Sequence, residues 1–154
     1  MIGGINIPFE KGEDGHSDGD VLFHAITDAI LGASGLGDIG SFFPPEDNKW
    51  KDADSAKLLM TVMEKVYEEG WKIENIDCVV KLEKPKFIPY REQVIESIAK
   101  VLEINPDQVF VKAKTGEKPA VSKKQQQAGN NHHQRQIKRK QIGKRIKAFL
   151  IVFL

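Results

Sequence analysis

Asp20, His24 and Asp28 recur every fourth residue through a segment whose other side chains are almost all apolar. Val21, Leu22, Phe23, Ala25, Ile26, Ala29, Ile30 and Leu31 predict a helix that is apolar nearly all round, and such a helix is buried. Residues four apart stack on one helix face. Burying two carboxylates and an imidazole is costly unless they are paired or hold a metal. A carboxylate beside a histidine is also the usual device for orienting a metal-ligating imidazole. His24 is thus a candidate metal ligand, with a satisfied core histidine as the plainer alternative.

Further candidates lie at the ends of elements. His16 and Ser17 stand just ahead of this helix, where free amides and the helix dipole favour an anion. Ser17 or Asp18 is the expected N-cap, and simple capping competes with phosphate binding there. Lys86 follows a predicted strand and suits a phosphate or a nucleotide base. Lys114-Thr115-Gly116-Glu117-Lys118 offers amides, a hydroxyl and a hard carboxylate, which suit a diphosphate and its Mg²⁺ or Mn²⁺. Its glycine spacing is not that of a P-loop. Each signal is weak alone. Together they describe a phosphate and metal site gathered at strand and helix ends.

The elements that must position these residues follow from periodicity. Ile5 and Ile7 alternate before Pro8 as a short strand. Gly35, Gly37 and Gly40 end the first helix and open a long loop, Ser41–Asp52. Asp54 or Ser55 caps a second helix with Leu58, Leu59, Val62, Met63, Val66 and Tyr67 on one face, and Gly70 stops it. Ile73–Leu82 reads as a strand. Pro89 starts a third helix with Val94, Ile95, Ile98, Ala99 and Leu102 inward, and Val109–Val111 opens a final strand. The expected fold is α+β (α/β layered), a small mixed β-sheet covered by helices.

Composition sets the outer bounds. A chain of 154 residues, 40% hydrophobic and 29% charged, is most simply one globular domain. The single cysteine, Cys78, excludes an internal disulfide framework and a cysteine-built zinc site. No run is long enough for a membrane helix and no signal peptide is visible at Met1, so the cytoplasm is the default compartment. The net charge of +1 hides an asymmetry: residues 1–118 hold 14 Lys/Arg and all 22 Asp/Glu, whereas 119–154 hold 9 basic residues and no acid. The domain is therefore drawn at 1–118. Residues 119–154 read as a basic low-complexity tail that supplies no strand to the fold. Arg135–Lys147, with Ile137, Ile142 and Ile146 interleaved, also admits RNA or membrane-surface binding.

His-Ser-Asp-Gly-Asp-Val, His-Ala and Thr-Asp-Ala, then Leu-Gly-Asp-Ile-Gly, Phe-Pro, Ala-Asp-Ser, Lys-Pro-Lys and Val-Lys-Ala-Lys-Thr-Gly-Glu-Lys resemble the 2-C-methyl-D-erythritol 2,4-cyclodiphosphate synthase family. The likeness runs from about Ile2 to Lys118. It implies a homotrimer of small subunits with active sites between neighbours. It also implies cyclisation of 4-diphosphocytidyl-2-C-methyl-D-erythritol 2-phosphate with release of CMP, in the non-mevalonate isoprenoid pathway. Under the same resemblance His24 is a zinc ligand, and His16 and Ser17 meet the substrate phosphate. Asp38, Ile39 and Gly40 meet the sugar hydroxyls, and Phe43, Pro44, Pro45, Glu46 and Asp47 belong to a flap over the methylerythritol. Leu82, Glu83, Lys84, Pro85, Lys86, Phe87 and Ile88 resemble the cytidine pocket. Lys114, Thr115, Gly116 and Glu117 resemble the diphosphate clamp, with His16 and Thr115 catalytic and Glu117 on a second metal, Mg²⁺ or Mn²⁺.

The resemblance begins after the family's opening strand, whose Asp-x-His carries the other zinc ligands, and stops before its closing strand. A relative that binds cytidine nucleotides without turnover is the alternative this leaves.

Overall fold

The computed structural model describes residues 1–8, 20–44, 46–50, 53–114 and 143–153. Helix α1 spans Val21–Ser34 and is capped by Asp20, whose carboxylate accepts the Leu22 and Phe23 amides. The expected cap at Ser17 or Asp18 is thus displaced to Asp20. Gly35, in the left-handed conformation, closes the helix. The glycine-rich turn that follows is not loop throughout: α2 (Ile39–Phe42) and a 3₁₀ turn (Asn48–Trp50) interrupt it.

Helix α3 (Ser55–Glu68) is capped by Asp54 and leads through Gly70, at a φ of 79°, into strand β1 (Lys72–Lys81). A 3₁₀ turn at Ile88–Tyr90 precedes α4 (Arg91–Leu102), and β2 (Val109–Lys114) follows. Strand β3 (Arg145–Phe153) completes the sheet, in the order β2-β1-β3. Helices α3 and α4 are each joined by a short link to the strand that follows, so both run back along the sheet and begin near the carboxyl ends of β1 and β2.

The layering is as expected, but the three described strands are parallel throughout rather than mixed. One face of the sheet carries Cys78 and Val80 of β1, Val111 of β2, and Ile146, Leu150 and Val152 of β3, all buried. Leu22, Phe23, Ile26 and Ile30 of α1, Val62 and Val66 of α3, and Val94 and Ile98 of α4 join them in one core. The opposite face exposes Phe110, Phe149 and Ile151. There Asp77 pairs with Lys112 at 2.5 Å, and Lys112 lies 5.7 Å from the Phe149 ring.

Two expectations are corrected here. Ile5 and Ile7 form no strand in the sheet; Ile5 instead bridges back to Ile2 around a Gly3-Gly4 turn. The tail also does supply a strand, because residues 145–153 pair along the full length of β1. Its basic residues obscured a plain alternation: Ile146, Ala148, Leu150 and Val152 point inward at period two. The lysines find partners at the start of β1. Lys147 pairs with Glu74 at 3.3 Å, and Lys144 donates to the Glu69 carbonyl at 2.9 Å.

Candidate active site

The carboxylates of α1 do not serve His24. Asp20, 1% exposed, accepts the amides of Gly3 (2.8 Å), Gly4 (2.5 Å), Leu22 and Phe23 (3.1 Å each). Asp28 accepts the Ile39 amide at 3.0 Å and so ties α1 to α2. The two carboxylates are therefore partnered by backbone amides, Asp20 buried and Asp28 exposed, and hydrogen bonding is what lets the buried one stay in the core. His24 finds Ser55 at the start of α3, with Nε2 and Oγ 3.2 Å apart. The buried Ser55 hydroxyl also accepts the Asp20 amide at 3.1 Å. Sequence reasoning saw Ser55 as a cap and missed this role. Its place in Ala-Asp-Ser was the available signal.

Asp38 caps α2, accepting both the amide and the hydroxyl of Ser41 at 2.8 Å. Those bonds favour the charged form and hold its carboxyl below the usual carboxylate range. The following segment is pinned by aromatic packing. Phe43 is buried with its ring 4.7 Å from Trp50 in an edge-on arrangement, and Lys49 lies over Trp50 at 4.5 Å. Pro44 and Asp47 close a turn through a 3.0 Å backbone bond, while Glu46 and Asp47 are exposed.

A second group of residues leaves the carboxyl ends of β1 and β2. The Leu82 amide donates to the Lys114 carbonyl at 3.0 Å, so the segment Leu82–Ile88 starts beside the end of β2. Leu82 and Phe87 are buried anchors, while Glu83, Lys84, Lys86 and Ile88 are exposed between and beyond them. A cis bond joins Lys84 to Pro85. Lys114 is exposed. The carboxyl ends of parallel strands are where such sheets bind ligands, and this end presents lysines suited to an anion.

Of the expected residues, the structure joins Asp28, one helical turn from His24, to Ile39, which Asp38 precedes as the cap of α2, and it joins Leu82 to Lys114. His16, Ser17, Pro45, Thr115, Gly116 and Glu117 lie outside the described residues. So do His132 and His133. Among the described residues, no three His, Cys, Asp or Glu side chains cluster to hold a metal. His24 is engaged by Ser55, and its helical neighbours Asp20 and Asp28 by amides. The described residues therefore do not fit a zinc with the usual three protein ligands. A cleft of about 800 Å³ opens beside Ser55, lined by Met1, Gly4, Asp20, Phe23 and Met60 among others, but none of residues 38–47, 82–88 or Lys114 lines it. No described helix is long and apolar enough to cross a membrane.

Known proteins are similar to this chain in sequence and in fold. The model of the YgbB family matches residues 1–130. The Treponema denticola protein named 2-C-methyl-D-erythritol 2,4-cyclodiphosphate synthase is 64% identical over 117 residues, covering 76% of this chain and 73% of that protein. The Listeria monocytogenes protein of the same name is 55% identical over 118 residues, 77% of this chain and 75% of that one. A solved structure of 2C-methyl-D-erythritol-2,4-cyclodiphosphate synthase in its CDP-bound form matches with a TM-score of 0.67 at 35% identity, covering 78% of this chain and 80% of that one. With the family model spanning most of its length and close relatives of one name, this chain belongs to the YgbB family, that of the 2-C-methyl-D-erythritol 2,4-cyclodiphosphate synthases.

Proposed function

We propose that this chain cyclises 4-diphosphocytidyl-2-C-methyl-D-erythritol 2-phosphate to 2-C-methyl-D-erythritol 2,4-cyclodiphosphate and releases CMP. The observation that carries the reading is the 3.0 Å bond from the Leu82 amide to the Lys114 carbonyl. It sets the segment resembling a cytidine pocket beside the start of the segment resembling a diphosphate clamp. A relative solved with CDP, 35% identical, supports the same ligand class.

The reaction joins two phosphates of one molecule. An oxygen of the 2-phosphate attacks the β-phosphorus of the diphosphate. The bond from that phosphorus to the oxygen bridging it to the α-phosphate breaks, and CMP departs with that oxygen. No protein nucleophile enters. The protein must fold the substrate and neutralise its charge, and holding reactive groups in line is worth up to about 7–11 kcal/mol of a barrier. Lys86 and Lys114 supply positive charge along the diphosphate, and the Thr115 hydroxyl and Gly116 amide meet the developing charge on the attacked phosphorus. His16 and Ser17 hold the 2-phosphate. Asp38, kept ionised by Ser41, accepts from the sugar hydroxyls, and Phe43–Asp47 covers them. Under the family resemblance His24 and Glu117 are the residues for divalent metals (Zn²⁺ at His24, Mg²⁺ or Mn²⁺ at Glu117). The described residues do not complete a metal centre.

The same reading includes a homotrimer. A parallel sheet is normally covered on both faces, and the face bearing Phe110, Phe149 and Ile151 is open among the described residues. The test is CMP release from the diphosphocytidyl substrate by the purified chain with Zn²⁺ and Mg²⁺ present. Turnover that falls with Lys114→Ala supports the proposal. Binding of CDP without any CMP release makes the chain a cytidine-nucleotide binder instead.

A further inference from the structure

Asp28 is exposed on α1, and among the described residues its one hydrogen bond comes from the Ile39 amide, 11 residues later, which its Oδ1 accepts at 3.0 Å. That amide opens α2, the four-residue helix that Asp38 caps. A helix so short has no stability of its own. The link into it carries Gly35 and Gly37, residue types that leave the backbone free to turn, so the link does not aim it either. Its far end is fixed by Phe43, buried with its ring against Trp50. Ile39 and Phe42 pack against the core, but apolar contact is non-directional. Among the described residues, the Asp28 bond is the one hydrogen bond that reaches α2 from another element.

We propose that Asp28 is a positioning residue for the cyclisation: by holding the amino end of α2 it aims the Asp38 carboxylate at the sugar hydroxyls of the substrate. This rests on the reading of Asp38 given under the proposed function. The Ile39 amide belongs to the rigid peptide plane that Asp38 begins. Pinning that plane sets the direction in which the Asp38 side chain leaves the backbone. Ser41 then fixes the carboxylate from within α2, since its amide and its hydroxyl both donate to Oδ1 of Asp38 at 2.8 Å. Asp38 is exposed, so its other oxygen is the one a hydroxyl would meet. Asp28 thus acts through Asp38 and not through His24, whose Nε2 lies 3.2 Å from the Ser55 hydroxyl. Nor does the core need it, because its carboxylate is at the surface. Its importance is for alignment: the sugar must be held so that the 2-phosphate lies in line with the β-phosphorus, and small misplacements there are costly.

Two variants of the full-length chain test this. Asp28→Ala removes the acceptor, whereas Asp28→Asn keeps an oxygen for the Ile39 amide. Asp28→Ala is expected to lower kcat/KM for the diphosphocytidyl substrate by about tenfold or more. CDP lacks the methylerythritol, so its affinity should stay unchanged, as should the Tm. Asp28→Asn should recover most of the lost rate. Hydrogen exchange gives a readout apart from turnover: the Ile39 amide should exchange faster in Asp28→Ala and not in Asp28→Asn. Equal losses in the two variants, or CDP affinity that falls along with the rate, overturn the proposal. So does an Ile39 amide that exchanges equally fast in the unmodified chain and in Asp28→Ala. CMP release at the same rate by the unmodified chain and by Asp28→Ala overturns the positioning role alone. No CMP release by the unmodified chain overturns the reaction itself, and the positioning role with it.

Discussion

The Asp20 carboxylate reaches back to the amide of Gly3, 17 residues earlier, at 2.8 Å, and the same group caps the helix that Asp20 begins. One buried acid thus ties the chain's opening turn to α1. Gly3 and Gly4 both sit at positive φ, 57° and 78°, which aims their successive amides at it.

Replacing Asp20 with alanine removes a cap and leaves buried amides without an acceptor. The expected cost is about 3 kcal/mol, a fall in Tm of roughly 6–12 °C for a chain of this size. Asp20→Asn keeps one acceptor oxygen and should cost about half as much. Thermal unfolding by circular dichroism checks both values. A Tm unchanged by Asp20→Ala would remove the carboxylate from this role.

Ser55 joins α1 to α3 through Asp20 and His24. Ser55→Ala strands the buried Asp20 amide and is expected to cost about 1–3 kcal/mol. It should also shift the ¹⁵N resonances of the His24 imidazole, because Nε2 loses its partner. Stability loss with an unmoved imidazole spectrum would mean that His24 does not use this bond.

Burial pushes the Cys78 thiol up from the usual 9.0 to about 12, with the neighbouring Asp77 adding to the rise. The folded chain therefore holds that proton more tightly than the unfolded chain does. The stability this contributes is full below pH 9 and is lost progressively as pH rises from 9 toward 12. Tyr67 is raised for the same leading reason, burial, and acts in the same direction. Urea midpoints measured across that range should fall, and native Cys78 should resist alkylation at pH 8 until the chain unfolds. Rapid alkylation of the folded chain would contradict its buried position.

Lys86 is exposed on a segment anchored by buried Leu82 and Phe87, so its removal should leave the fold intact. Lys86→Ala is expected to weaken CDP binding about tenfold, near 1.4 kcal/mol, with an unchanged Tm. Calorimetric titration measures this directly. Unaltered affinity would take Lys86 out of the nucleotide site.

The three long helices and strands β1 and β2 were legible in the sequence because each signal is local. Apolar spacing marks α3 and α4, and Asp54, Gly35 and Gly70 punctuate their neighbours. The family was legible for a related reason, since its motifs sit in unbroken order along the chain. The partners of the polar groups were not legible. Asp20, His24 and Asp28 share a face by spacing alone, yet whether they serve a metal or the backbone depends on what packs against that face. Gly3, Ser55 and Ile39 arrive from other elements. The third strand was hidden for the same cause. Residues 145–153 carry a period-two pattern too short and too basic to stand out, and pairing with β1 gives it meaning. Spacing along the chain determined the elements and the motifs they carry. Contacts between residues distant in sequence decided which acids were satisfied and which strand closed the sheet, because those energies exist only once the core has formed.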